Sequence, residues 1–214
     1  MKITDLFLNF ALFGAEWVMY VLIACSVLSI TIIIERALYF SRLRGDFGAF
    51  IQELTSRLNS DDSLEKTSAW CAGQNLLEAK VAAVGLEGSD KPLKAAEDSM
   101  VATIISSRTK MDRGLVILGT LGNNTPFIGL FGTIIGIIQA FHALGSNSAQ
   151  GPEIVMAAIA EALVATAVGL MVAIPAVIAF NFYQRATKIR MTNSEATSRI
   201  VATFLGRAQH LHSK

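Results

Sequence analysis

Between Arg113 and Glu153 the chain carries no Asp, Glu, Lys or Arg. Stretches this long and this free of charge are membrane-spanning helices. The next stretch, IVMAAIAEALVATAVGLMVAIPAVIAFNFYQ, is equally apolar and holds one carboxylate within it, Glu161. Two such arms joined by the short polar run GSNSAQGP form an antiparallel hairpin, spanning 114–144 and 154–184 across a loop at 145–153. A third apolar run, Trp17 to Ile34, is bounded by Glu16 and Glu35 and places a first span at 16–40.

Composition supports membrane placement, with 52% apolar residues and a mean hydropathy of +0.49 in 214 residues. A net charge of +1 gives no basic footprint for nucleic acid. Most charged residues lie in 41–113, which therefore reads as a water-exposed helical domain with breaks near Asn59–Asp62 and Gly88–Pro92. Asn59 to Asp62 reads as a turn that caps the helix after it. From Pro92 the chain is expected to run unbroken into span two, and from Ile154 to about Leu205 past the membrane into a C-terminal helix at 185–214. A helix from Ile154 to Gln184 would reach about 46 Å, against a hydrocarbon core of roughly 30 Å. Residues 1–15 place Leu6, Phe7, Phe10 and Phe13 or Gly14 at helical spacing, as in an amphipathic helix lying on the periplasmic face of the membrane, with a disordered start as the alternative. No cleavage site follows, so the first helix is expected to be retained.

Basic residues set the orientation. Arg36, Arg42 and Arg44 follow span one, Arg108, Lys110 and Arg113 precede span two, and Arg185, Lys188 and Arg190 follow span three. The 145–153 loop has none. The N-terminus is thus expected outside and the C-terminus in the cytoplasm.

Span two is dense in glycine, including Gly129, Gly132 and Gly136, and span three is dense in alanine. Small residues let helices approach closely in lipid, so both helices read as built for protein contact in a homo-oligomer or, alternatively, within one protomer. Pro126 and Pro175 free backbone carbonyls that bend each helix or line a passage. Counted along the helical rise, Glu161 lies about 10 Å from the outer edge, while Thr133 and Thr166 lie at about 16 and 18 Å, sharing a level near mid-membrane. Their hydroxyls either line a path or bond back to their own helices. A carboxylate at such depth is costly, so Glu161 reads as an ion-path residue or a structural polar anchor.

No enzyme motif, phosphate loop, cofactor site or metal-ligand spacing occurs. Cys25 and Cys71 read as free thiols, and His142, His210 and His212 as interface or tail residues.

The run GNNTPFIGLFGTIIGII, Gly122 to Ile138, and IAEALVATAVGLMVAIPAVIAFN, Ile159 to Asn181, resemble the second and third spans of the ExbB/TolQ/MotA proton-channel family, and ERALYFSRLR resembles its exit from span one. The resemblance implies an all-α, three-span subunit of the bacterial inner membrane. It implies a pentamer around the single helices of a dimeric ExbD/TolR/MotB-like partner whose membrane aspartate carries the proton. Thr133, Thr166 and Glu161 match the family's pore threonines and span-three glutamate. Three spans favour the ExbB/TolQ branch over MotA. The implied function is a proton-driven motor serving outer-membrane transport or integrity, with gliding motility, surface-polymer transport or a non-conducting scaffold as alternatives.

Overall fold

In the computed structural model, residues 14–43, 45–60, 63–87, 92–146 and 152–212 are described, and every regular element among them is a helix. The expected helix at 1–15 lies outside these residues except for its last two, which are not helical. The order is α1 (Glu16–Arg42), α2 (Phe47–Asn59), α3 (Leu64–Ala72), α4 (Leu77–Glu87), α5 (Leu93–Asp112), α6 (Leu115–Ser146) and α7 (Pro152–His212). Three helices are long and apolar enough to cross a membrane, and α1, α6 and α7 supply their apolar stretches. The chain divides into two compact units. One comprises residues up to Glu35 with Gly114–Phe182, and the other Arg36–Arg113 with Tyr183–Lys214.

In the apolar unit, α1 buries Val18, Leu22, Ser29 and Ile32, whose spacing puts them on one helical face. Val18 and Leu22 pack with Ile135 of α6; Ile32 packs with Leu118 of α6 and Ala176 of α7. The outward faces stay apolar, with Tyr20, Ile23, Val27, Ile30 and Ile34 exposed on α1. A helix apolar on all sides belongs in lipid or protein, not water.

The polar unit has its own core, in which Phe50, Leu54 and Leu58 of α2 meet Cys71, Leu77, Val81, Leu86, Met100, Ile104, Val201 and Leu205. Side-chain caps fix the starts of α2 and α3. Asp46 accepts from the Gly48 amide and Ser63 from the Lys66 amide, so the cap after the first break is Ser63, one position past the expected Asn59–Asp62 turn, of which Asn59 ends α2 and Asp61 and Asp62 lie outside the described residues. The stretch from Leu64 is not one helix either: α3 ends at Ala72, Gly73 caps it, and α4 begins at Leu77.

Nor does the chain run unbroken from Pro92 into span two. It turns at Arg113 and Gly114, and Gly114 adopts a φ of +76°, a conformation only glycine takes freely. By contrast α7 is continuous from Pro152 to His212, far longer than the roughly 20 residues a crossing needs. Arg36 reinforces the end of α5, donating from Nη1 to the carbonyls of Lys110 (2.9 Å) and Met111 (3.3 Å), where a cation complements the helix C-terminus.

Candidate functional site

The seam between α6 and α7 is made by residues without side chains. A Cβ at Gly129 would lie 2.7 Å from the carbonyl oxygen of Ala165, and one at Gly169 would lie 2.8 Å from that of Thr125. At Gly136 it would meet the Ala162 methyl at 2.6 Å, and at Gly132 both Val18 of α1 (2.9 Å) and Ala165 (3.1 Å). The helices therefore touch backbone to backbone, which small residues alone permit. Pro126 and Pro175 sit inside continuous helices, half-buried and exposed respectively. Having no N–H, they leave the carbonyls of Gly122 and Met171 without their usual helical donors.

Closeness at Gly129 and Gly169 brings Thr133 and Thr166 together. Their hydroxyl oxygens share a hydrogen bond. Thr133 is buried, and its hydroxyl also reaches the carbonyls of Gly129 and Ala162, each at 3.2 Å. Thr166 is half-buried. Thr133 thus bonds back to its own helix at Gly129 and across to Ala162 and Thr166 of α7. A hydroxyl has one proton. When Thr133 gives its proton to a carbonyl, Thr166 must donate to Thr133, and its remaining lone pairs stay open to an outside donor.

Thr125 continues this row two turns earlier on α6, fully buried, with its hydroxyl donating to Leu121 O. Sequence reading passed over it, although Thr125, Gly129 and Thr133 recur every fourth residue on one helical face.

Glu161 is not part of this cluster. It is exposed and lines a cleft of about 450 Å³ with Glu16, Met19 and Tyr20 of α1 and Gln139 of α6. Gly132, Gly136, Ala158, Ala162 and Ala165 leave the space. Five positions separate Glu161 from Thr166, which turns them about 140° apart around the helix. The structure thus joins the two threonines and sets the acid apart, beside the first turn of α1. Glu16 was read from the sequence only as the edge of a span.

The cysteines are unpaired, Cys25 half-buried and Cys71 buried. Among the described residues no cluster of His, Cys, Asp and Glu could hold a metal ion.

The sequence profile of the MotA/TolQ/ExbB proton channel family matches residues 73–196. The chain is 31% identical over 193 residues to the biopolymer transport protein ExbB of Neisseria meningitidis serogroup B, covering 84% of this chain and 86% of that one. It is 39% identical over 104 residues to ExbB of Xanthomonas campestris, covering 49% of this chain and 37% of that one. It is 37% identical over 100 residues to the Tol-Pal system protein TolQ of Pseudomonas aeruginosa, covering 47% and 43%.

Proposed function

The chain belongs to the MotA/TolQ/ExbB proton channel family, on its ExbB/TolQ branch, and from that premise we propose that it is the channel-forming subunit of a proton-driven motor in the bacterial inner membrane. Five copies surround the membrane helices of a dimeric, single-span ExbD/TolR-like partner. Its N-terminus faces the periplasm and residues 41–113 and 185–214 the cytoplasm, as the Arg and Lys distribution favours. The work driven is outer-membrane transport or integrity.

The observation that carries this reading is the hydrogen bond between Thr133 and Thr166. Thr133 holds Thr166 as an acceptor, and an acceptor favours the protonated, O–H-donating form of a partner carboxyl group beside it. Once that carboxyl loses its proton, the preference is gone and the partner helix is free to move on. Each charge crossing 100 mV releases about 2.3 kcal/mol, enough to drive relative rotation between rings of unlike symmetry. Glu161, in its cleft at the outer end, sets access from the periplasm. Gly129, Gly132 and Gly136 hold the seam, and the carbonyls that Pro126 and Pro175 free, those of Gly122 and Met171, bend the helices or line the passage.

The test is proton uptake by vesicles containing the complex with its partner, alongside the work it powers. Thr133→Val or Thr166→Val is expected to remove both while assembly, read by native mass, persists; Thr→Ser at either position retains them. Normal uptake and work by the double Val variant would overturn the assignment. Tolerance of Glu161→Ala together with no uptake under any condition would identify a scaffold that only organises partner helices.

A further inference from the structure

The exposed face of α6 changes chemistry along its length. Phe127, Leu130, Phe131, Ile134 and Phe141 are all exposed and apolar. Nearer the start of the helix, Thr120, Asn123 and Asn124 are exposed instead, at the i, i+3, i+4 spacing of surface neighbours. Asn124 donates from Nδ2 to Thr120 O at 2.9 Å, and Thr120 donates to Val116 O at 2.8 Å. The side-chain amide of Asn123 makes no hydrogen bond to another described residue.

These amides lie inside the apolar belt, not at its edge. Nearer the start of α6, Val116 and Ile117 are exposed, as are Ile178 and Phe182 on α7. Contacts with α1 give their level. Gly132 approaches Val18, and Gly114 approaches Ile32, which sets residues 120–124 of α6 opposite about residues 24–27 of α1. There α1 exposes Ile23 and Val27. At one depth, then, α1 shows hydrocarbon side chains and α6 shows amides. An amide without a partner is costly in hydrocarbon, so the two faces meet different surroundings.

We infer that Thr120, Asn123 and Asn124 line a water-filled stretch of the ion path, on the side of the threonine pair nearer the start of α6. This rests on the channel function proposed for the chain and extends it to residues that function does not otherwise use. Asn124 stands about 14 Å from Thr133 along the helix and about half a turn around it, and Asn123 less than a quarter turn around it. Between them Phe127 and Phe131 provide no polar group, so water and partner side chains carry protons across that gap. The amide oxygens and hydroxyls accept hydrogen bonds from protonated water or the hydration shell of a monovalent cation.

The experiment is thiol accessibility in the full-length chain in inverted native membrane vesicles. The background carries Cys25→Ala and Cys71→Ala, and single cysteines are placed at Thr120, Asn123, Asn124 and, as a level-matched reference, Val27. The probe is a membrane-impermeant trimethylammonium methanethiosulfonate. Reaction at Asn123→Cys and Asn124→Cys roughly a hundredfold faster than at Val27→Cys is expected, in line with the exclusion of charge from hydrocarbon. Equal fast rates would show headgroup water reaching both helices, and equal slow rates would show lipid or protein covering both; either overturns the inference. Thr120→Cys gives an independent reading if an Asn variant fails to insert. The threonine variants' proton uptake is a separate result, so failure here leaves the channel assignment standing, and failure there leaves the accessibility pattern measurable.

Discussion

Thr133 and Thr166, 33 positions apart in sequence, share one hydrogen bond across the α6–α7 seam. A bond of this kind couples the two side chains energetically. In a double-mutant cycle of Thr133→Val and Thr166→Val, denaturant or thermal unfolding in detergent should show losses that fail to add by about 0.5–1.5 kcal/mol. Strictly additive losses would mean that each hydroxyl bonds only to its own backbone.

The glycines of the seam differ in what they tolerate. A methyl at Gly129 would press on the backbone oxygen of Ala165, which cannot swing aside as a side chain can. Gly129→Ala should therefore cost about 1–3 kcal/mol, the usual cost of overpacking. At Gly145, where nothing lies within 4 Å, the same change should leave the hairpin intact. Thermal aggregation of the two variants in detergent separates them, and equal behaviour would refute the backbone-contact account.

The three spans were legible because uncharged length is a direct physical requirement of the bilayer, and Thr133 with Thr166 because equal depth on antiparallel arms follows from helical rise. What stayed hidden depended on partners. One break did not: Gly73 and Asn75 mark it locally, but they lie among the helix formers of LEKTSAWCAGQNLLEAK and were not read as a stop. Gly114 ends α5 through a left-handed φ that sits beside Ile32, a contact from a distant part of the chain. Glu161 stands apart from the threonines because 3.6 residues per turn carries it around the helix, a rotation that depth counting ignores.

Glu78 is completely buried in the polar unit, and Arg190 meets both of its carboxylate oxygens at 3.3 Å while donating from Nη2 to Leu43 O. Removing one member of such a pair strands a charge, so Glu78→Ala should destabilise by about 3–5 kcal/mol. Glu78→Leu with Arg190→Met should recover most of that loss. Lys94→Ala, which breaks an exposed pair with Asp98 at 3.1 Å, should change little. Protease resistance of the full-length chain in detergent would rank the variants, and equal sensitivity of Glu78→Ala and Lys94→Ala would contradict the ranking.

Cys71 gives the polar unit a pH-dependent response. Burial pushes its thiol from 9.0 up to about 11, with the positive charge of Arg57 opposing the rise. From pH 9 to pH 11 the unfolded chain gives up a proton that the folded chain keeps. The stability contributed by the buried neutral thiol is therefore complete below pH 9 and is lost as pH rises through 11. Alkylation reads this directly, because the thiolate is the reacting form. Iodoacetamide labelling of Cys71, followed by mass spectrometry, should stay slow at pH 8 and accelerate as pH climbs past 9, when opening of the α2–α4 core becomes easier. In a Leu54→Ala variant, which loosens the packing of this core, labelling should be fast at pH 8 already. Rapid labelling of the unaltered chain at pH 8 would show the thiol to be accessible and ordinary, and would remove the basis for the alkaline loss.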